Sequence, residues 1–433
     1  MEKIRPTKEE YQKRDRIFAK VKRVVEEELE KEKVKGEVTL QGSAAKETWL
    51  RGNLELDVFI LFPPKSKEWL KVVALKILEK AAKRLGEYII KYAEHPYINL
   101  KVEGVDVDLV PAFKVSSGSE AITAVDRTPF HTKWVKEKLD ELGPSSRDEV
   151  RLLKAFFKGI GVYGAEVKVE GFSGYMTELL LIHYKGFAET INSMSVWKPP
   201  VFLDPGGHDN KPFYLKKFKA PIIVPDPVDP KRNAAAAVSL QSMALASLAA
   251  WRYLTNPNPK FYRRPPPPEV KAKRPTYLVE LRIVGDHPPE TVWGELKRVA
   301  RSLIKALERE GFQITRYQCW SDEERRACVA IESLNSKLTD EEVRIGPPVW
   351  DKGNLSNFLT VHDAPAAGPW IRGDRIMVIE EREEKGLEEV ASRYLKNLKT
   401  VSLDTKNVIV NRIIEPQEEW LKWFVYGRYW WWS

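Results

Sequence analysis

Two short segments of this chain carry acidic residues at every second position. In GNLELDVFILF (residues 52–62), Glu55 and Asp57 precede an apolar run, and in VEGVDVDLVP (residues 102–111), Asp106 and Asp108 alternate with valines. Because side chains alternate across a β-strand, each pair shares one face, and carboxylates from two neighbouring strands could converge. The competing interpretation is that both pairs lie on exposed faces of edge strands.

Converging carboxylates are suited to metal-dependent chemistry. Like charges a few ångströms apart repel unless they are solvated, protonated or neutralised by a cation such as Mg²⁺. In two-metal phosphoryl transfer, carboxylates hold two Mg²⁺ ions roughly 3.5–4 Å apart, one activating the attacking hydroxyl and the other stabilising the leaving oxygen. These segments therefore predict a site for two Mg²⁺ ions.

A candidate phosphate-binding loop lies just upstream, in QGSAAKETW (residues 41–49). Gly42 allows the backbone to approach a phosphate, the Ser43 hydroxyl and successive N–H groups can donate to it, and a following helix N-terminus favours negative charge. A Gly-Ser pair alone is a weak signal. Its value comes from the order in which Gly42-Ser43, the Glu55/Asp57 strand and the Asp108 strand follow one another.

The elements that must position these residues alternate between helix and strand, which favours a mixed α/β domain over a helical bundle. They are a helix at 11–35, a strand at 37–40, a strand at 54–62, a helix at 68–85 and a strand at 102–111. Residues 147–255 are then mostly helical in pattern, beginning with a helix at 145–160 and ending in an alanine-rich helix.

A basic, proline-rich linker, RRPPPPEVKAKRP at 263–275, separates this part from the rest because it cannot continue a helix. The succession after it has the order of a ferredoxin-like or RNA-recognition-like fold, with a strand at 277–283, a helix at 289–310 and strands at 312–320 and 326–334. A further helix is predicted at 386–398. We therefore expect domains at 1–140, 141–258 and 276–433.

The composition fits a globular protein with a polyanionic partner. Lys and Arg number 71 against 62 Asp and Glu, a formal net charge of +9, which suits a nucleic acid. The charged N-terminus and the lack of a long apolar run predict a cytoplasmic protein without a membrane partner. Cys319 and Cys328 cannot by themselves form a disulfide framework or a zinc site, so buried thiols are expected.

Seven motifs, occurring in order, resemble those of one family. They are TWLRGNLELDVFILFP, YAEHPY, DVDLVP, AVDRTPFHTKW, EVRLLKAFFK, GVYGAEVKVEGFSGY and VDPKRNAAAAVS. From about residue 40 to 250 the chain resembles the archaeal, class I CCA-adding enzymes, which are tRNA nucleotidyltransferases of the DNA polymerase β superfamily. Beyond residue 276 the resemblance is one of topology. Ala44 and Lys46 depart from it, since archaeal relatives usually have Tyr and Arg there.

The resemblance implies an α+β multidomain fold. Residues 1–140 would form a polymerase β-like nucleotidyltransferase domain, 141–258 a helical nucleotide-binding domain and 276–433 a ferredoxin-like or RNA-recognition-like domain. Glu55, Asp57 and Asp108 would be the catalytic metal ligands. Other positions match residues that contact the triphosphate or ribose, namely Ser43, Lys46, Thr128, His131, Lys154, Tyr163 and Ser173. Each also has a structural alternative, such as helix capping for Thr128.

Arg232, in DPVDPKRNAAAA, is predicted to select the nucleotide, with Asp229 capping a helix that starts at Pro230. Cytosine and adenine both present a ring-nitrogen acceptor beside an exocyclic amine, whereas guanine and uracil present an N–H. A guanidinium has only N–H donors, so it can hydrogen-bond to the ring-nitrogen acceptor of C and A, whereas the N–H of G and U opposes it. The alternative is a surface ion pair with Asp226 or Asp229.

The resulting hypothesis is a template-independent enzyme that adds CMP, CMP and AMP to the tRNA 3′ end, using CTP and ATP and releasing pyrophosphate. The segment after the linker would bind the acceptor and T arms of tRNA. A poly(A) polymerase or oligoadenylate synthetase is the enzymatic alternative, and a non-catalytic RNA-binding protein is an alternative of another class. The oligomeric state is open, with a homodimer among the options.

Overall fold

The computed structural model describes residues 1–91, 96–382 and 385–432. Most of the YAEHPY motif (92–95) lies outside these residues. The chain forms two compact units, one of Met1–Pro265 together with the chain end from Tyr429, and one of Pro266–Arg428. None of the helices within the described ranges combines the length and apolar character needed to cross a membrane.

The first unit begins with a five-stranded sheet against which helices α1 and α4 pack. Its elements are α1 (Lys8–Lys31), β1 (Glu37–Gln41), α2 (Gly42–Lys46), β2 (Glu55–Phe62), α3 (Lys67–Trp69), α4 (Leu75–Leu85), β3 (Tyr88–Lys91), β4 (Tyr97–Val102) and β5 (Val105–Phe113). A π-helical turn, Leu70–Ala74, joins α3 to α4. The predicted helices and strands of this part are therefore present, with shifted ends.

The sheet has the order β1-β2-β5-β4-β3, in which only β2 and β5 are parallel. On α1 the apolar residues at helical spacing, from Ile17 to Leu29, are buried against it. On β2, Leu56, Val58 and Ile60 point into this core, which leaves the Glu55 and Asp57 side of the strand to face the other way. The mixed α/β prediction is confirmed.

The remainder of the first unit is mostly helical. Its elements are α5 (Thr128–Leu142), α6 (Ser146–Ile160), α7 (Gly174–Tyr184), α8 (Phe187–Met194), β6 (Val201–Phe202), α9 (Lys211–Lys217), β7 (Ile222–Ile223), β8 (Pro225–Asp226), β9 (Asp229–Asn233) and α10 (Leu240–Thr255). Aromatic residues such as Phe156, Phe157 and Phe172 fill its core, and Trp431 from the chain end is buried among them.

The predicted helix that starts at Pro230 is wrong. Residues 229–233 form strand β9, antiparallel to β8, and the helix begins at Leu240 with Ser239 as its N-cap. The Asn233 side chain explains the difference, because it accepts from the N–H groups of Val224 and Ala235 and donates to the Ile222 carbonyl. These bonds hold the backbone extended where the sequence pattern favoured a helix.

The second unit is built on a four-stranded antiparallel sheet of order β11-β12-β10-β16. Its elements are β10 (Thr276–Ile283), α11 (Pro289–Glu310), β11 (Ile314–Ser321), β12 (Arg326–Ser333), β13 (Glu341–Pro348), α12 (Lys352–Val361), β14 (Ala367–Arg372), β15 (Arg375–Glu381), α13 (Leu387–Lys396), β16 (Leu403–Arg412) and α14 (Glu419–Tyr426). Strands β10, β11, β12 and β16 with helices α11 and α13 give the predicted ferredoxin-like order. A small sheet, β13-β15-β14, is inserted before α13. Cys328 on β12 is buried as expected, whereas Cys319 on β11 is only partly buried, so the expectation of two buried thiols is wrong for Cys319.

Candidate active site

The two acidic segments lie side by side in the sheet. Strands β2 and β5 run parallel, in a register that sets Glu55 opposite Asp106 and Asp57 opposite Asp108. Since the side-chain direction repeats every second residue, all four carboxylates leave the same face of the sheet. The predicted convergence of the two strands is present.

Asp57 is the most enclosed of these carboxylates and lies against the phosphate-loop glycine. A Cβ added to Gly42 would lie 1.8 Å from Asp57 Oδ2, and Gly42 has a φ of +64°. Burial, the charge of Asp108 and that of Glu55 together raise the pKa of Asp57 to about 6, despite the opposing charge of Lys46. A cation placed here would remove this repulsion.

Asp108 has a fixed neighbour on the adjoining strand. Asn99 Nδ2 on β4 donates to Asp108 Oδ1 at 2.6 Å, and burial raises the pKa of Asp108 in spite of this bond. In the part of the chain that the structure describes, no three His, Cys, Asp or Glu side chains are arranged to hold a metal ion as they stand. The carboxylate oxygens fit Mg²⁺ chemically, and their role as ligands stays a prediction.

The phosphate loop leads into a buried ion-pair cluster. Gly42 and Ser43 open the short helix α2, and Lys46 at its end is only 6% exposed. Lys46 Nζ donates to Glu178 Oε2 on α7 at 2.5 Å. Burial opposes the ionisation of Glu178, but Lys46 and Lys154 outweigh it and lower the pKa of Glu178 to about 2.

Lys154 on α6 belongs to the same cluster. Its Nζ lies 3.2 Å from the Thr48 carbonyl, 3.0 Å from Thr48 Oγ1 and 3.1 Å from Glu178 Oε1. An ammonium has three N–H donors, so these acceptors saturate Lys154, whereas Lys46 has one such bond among the described residues. Burial lowers the pKa of Lys154 to about 8 despite Glu178. Of these two lysines, Lys46 is therefore the one whose N–H donors are not all used by the described residues.

Tyr163, Ser173 and Thr128 are three further residues that were predicted to contact the nucleotide. Tyr163 follows α6, and burial, Glu178 and Glu55 raise the pKa of its hydroxyl. Ser173 is the N-cap of α7, where its Oγ accepts from the Met176 N–H. Thr128 is the first residue of α5 and is not its cap, since Arg127 holds the N-cap position.

The remaining predicted contacts, His131 and Arg232, meet at a buried carboxylate. Asp226 is 0% exposed and ends β8. His131 Nε2 on α5 lies 3.0 Å from Asp226 Oδ2, and Arg232 Nε on β9 lies 3.5 Å from the same oxygen. Arg232 thus has the ion pair that the structural alternative predicted, although its partner is buried instead of exposed.

Tyr175 on α7 connects the two groups of predicted residues. Its hydroxyl donates to Asp226 Oδ1 at 3.2 Å, its ring lies 4.2 Å from the His131 ring, and Lys46 Nζ lies 5.8 Å from its centroid. A set of contacts therefore runs from Lys46 through Tyr175 and Asp226 to Arg232.

The sequence matches models of three known domains. The model described as a nucleotidyltransferase domain matches residues 21–131, that of the second domain of tRNA nucleotidyltransferase matches 148–263, and that of the C-terminal domain of the CCA-adding enzyme matches 276–413.

The similarity to individual relatives spans nearly the whole chain. The CCA-adding enzyme of Saccharolobus solfataricus is 38% identical over 427 residues, which cover 97% of this chain and 98% of that protein. The chain belongs to the CCA-adding enzymes. The enzymes of Sulfurisphaera tokodaii and Pyrobaculum islandicum are each 37% identical, covering 98% and 90% of this chain and 98% and 91% of those proteins.

Sequence reasoning considered Asp226 only as a surface ion-pair partner of Arg232, and it missed Glu178 and Tyr175. Glu178 was detectable, because it is a lone acid in the apolar helix MTELLLIHY and such an acid needs a buried partner. Asp226 lies in VPDPVDP, and Tyr175 lies in the GFSGY motif beside Ser173. Nothing in the linear sequence shows that these two side chains meet.

Proposed function

We propose that the chain adds CCA to the 3′ end of tRNA without a template, using CTP and ATP and releasing pyrophosphate. The observation that carries this proposal is the parallel register of β2 and β5, which places Glu55, Asp57 and Asp108 on one face beside Gly42. Family membership over nearly the full chain supports the choice of substrate.

In this proposal Glu55, Asp57 and Asp108 hold Mg²⁺, the cation that nucleotidyltransferases generally use. When bound, two Mg²⁺ ions would activate the attacking hydroxyl and neutralise charge on the leaving oxygen. The tRNA 3′-hydroxyl attacks the α-phosphorus in line. The backbone at Gly42-Ser43 and the ammonium of Lys46 bind the triphosphate, which keeps the leaving pyrophosphate opposite the attacking oxygen.

Selection of the base is assigned to Arg232, whose guanidinium donors match the acceptor edges of C and A. Replacing Arg232 with alanine should reduce the preference for CTP over UTP by about ten-fold. This factor corresponds to a loss of roughly 1.4 kcal/mol of discrimination. Arg232 lies on strand β9 and not in the first turn of a helix, so no helix dipole acts on it there. The argument from its N–H donors does not depend on a helix.

The second unit is proposed to bind the acceptor and T arms of tRNA through shape and charge, because A-form RNA offers side chains little readable sequence. Residues 261–275, which lead into it and include its first ten residues, contain five Lys or Arg and one Glu. The proposed setting is the cytoplasm, and the oligomeric state, with a homodimer among the options, is a separate measurement.

Product analysis tests this function. Purified protein with Mg²⁺ and tRNA lacking CCA should add two residues from CTP alone and three from CTP with ATP, and should then stop. A ladder of adenylates from ATP alone would support the poly(A) polymerase alternative, and tRNA binding without incorporation would support the RNA-binding alternative.

A further inference from the structure

Arg232 is a flexible side chain, 41% exposed, yet discrimination between nucleobases needs its donors held at a fixed angle. Its guanidinium contacts Asp226, which is held from three directions. His131 Nε2 lies 3.0 Å from one carboxylate oxygen, and the Tyr175 hydroxyl and the Val228 N–H donate to the other at 3.2 and 3.0 Å. These contacts hold the Asp226 carboxylate in one orientation.

These holding groups come from separate elements. His131 is on α5, Tyr175 is on α7, and Val228 lies in the turn between β8 and β9. Because a buried carboxylate without partners is costly, this set of bonds fixes both its charge and its orientation. The ion pair with Arg232 then fixes the Nε side of the guanidinium and leaves its terminal N–H groups for a ligand.

We propose that Asp226 is the positioning residue for nucleotide selection, acting through Arg232, and that its carboxylate charge sets the preference for C and A over U and G. Asp226 itself contacts no base. The inference rests on the proposed role of Arg232 and adds the residue that orients it. Tyr175 has a lesser part, since its hydroxyl orients Asp226 from the Lys46 side.

The same hairpin offers a matched control. Asp229 is the cross-strand partner of Asp226, is 4% exposed, binds a different arginine, Arg127 at 2.8 Å, and also accepts a turn N–H, that of Lys231. Asp226→Asn and Asp229→Asn therefore remove equivalent buried charges from one hairpin, and only the first removes the partner of Arg232.

The experiment measures single-turnover incorporation of CTP and of UTP into tRNA lacking CCA, with melting temperatures for every variant. Asp226→Asn should lower the CTP-to-UTP ratio by about three- to ten-fold, against about ten-fold for Arg232→Ala. Asp229→Asn should leave the ratio within about two-fold, which is the scatter expected for a residue without that contact.

The double variant separates positioning from general damage. If Asp226 acts through Arg232, then Asp226→Asn combined with Arg232→Ala should discriminate no worse than Arg232→Ala alone, because coupled residues are not additive. Additive losses, an unchanged ratio in Asp226→Asn, or an equal loss in Asp229→Asn would each overturn the proposal.

A second variant covers the case in which Asp226→Asn fails to fold. Tyr175→Phe keeps the ring and removes one bond to Asp226. It should lower the CTP-to-UTP ratio by a smaller factor that disappears in an Arg232→Ala background, and an unchanged ratio would overturn the proposal.

If Arg232→Ala itself discriminates as the wild type does, the proposed role of Arg232 fails and this inference fails with it. If Arg232→Ala loses discrimination while Asp226→Asn keeps it, only the inference fails.

Discussion

Lys46 of the phosphate loop and Glu178 of α7 form a buried ion pair although 132 residues separate them in sequence. Their contact ties the strand–loop region that carries the carboxylates to the helices that carry Lys154 and Tyr175. Glu178 has no exposed surface, and Lys46 and Lys154 are nearly as enclosed. The ion pair therefore fixes the position of Lys46, and the loss of one partner would leave an uncompensated buried charge.

Replacing Glu178 by glutamine should destabilise the first unit. The variant keeps the shape but leaves two buried ammonium groups without an anion, which costs about 3–5 kcal/mol for a broken buried pair. Urea unfolding followed by tryptophan fluorescence measures the change. Glu137→Gln, an exposed i,i+4 partner of Lys133 on α5, is the control and should stay within about 0.5 kcal/mol. Equal stability of the two variants would contradict the role of the cluster.

The same pair predicts a pH dependence. The pKa of Glu178 is lowered to about 2 in the folded protein from an ordinary 4.5, so its contribution is complete above about pH 4.5 and is lost as pH falls toward 2. The stability difference between wild type and Glu178→Gln should therefore shrink when urea unfolding is repeated at pH 5, 4 and 3. A difference that does not change over this range would show that Glu178 has an ordinary pKa.

Gly42 should tolerate no side chain. A Cβ at this position would overlap Asp57 Oδ2, so Gly42→Ala should turn the Asp57 carboxylate. The rate of nucleotide addition should fall by at least about ten-fold, because small displacements of a catalytic group are costly. Gly52→Ala is the matched control, because Gly52 also has a positive φ, +75°, and nothing lies within 4 Å of its added Cβ. Similar loss in both variants would attribute the effect to backbone strain alone.

The carboxylates were predictable because alternation on two strands is a local pattern, and the pairing of those strands follows from the fold. Glu55, Asp57 and Asp108 needed no knowledge of distant contacts. The sequence showed that Glu178 needs a partner but not which one, since Lys46 and Lys154 lie on other elements. The ion pair of Asp226 with Arg232 was foreseeable, whereas its contacts with His131 and Tyr175 on α5 and α7 were not. The error at Arg232 has a local cause, in that the side chain of Asn233 outweighs the helix propensity of the alanines that follow.

The chain end belongs to the first unit, which the sequence did not show. Trp431 is fully buried and stacks on Phe261 and Tyr429, with ring centroids 5.3 and 4.8 Å apart. Trp431→Ala should cost about 3–5 kcal/mol in the unfolding of this unit. Trp432, which is 39% exposed, is the neighbouring control, and Trp432→Ala should cost about 1 kcal/mol or less. Equal effects would mean that the chain end contributes nothing specific to this core.

This packing also limits an otherwise direct test of tRNA binding. Removing residues 276–433 would take Trp431 from the core of the first unit along with the second unit. A truncation for tRNA-binding measurements therefore needs residues 429–433 rejoined to the first unit by a flexible linker. It should raise the KM for tRNA far more than the KM for CTP. An equal rise in both would count against tRNA binding by the second unit.

Asp57 is predicted to be indispensable for catalysis and for metal binding. Asp57→Asn should abolish nucleotide addition and leave tRNA affinity within a few-fold, because affinity rests on phosphate contacts elsewhere. Mg²⁺ should raise the melting temperature of the wild type above its value in EDTA, since a ligand that binds the folded state stabilises it, and should not do so in Asp57→Asn.

Asp106→Asn is the control, as Asp106 leaves the same face of the sheet beside Asp108 without being a predicted ligand. It should keep both activity and the Mg²⁺ shift. Activity in Asp57→Asn, or loss of the shift in Asp106→Asn alone, would move the metal site to a different carboxylate.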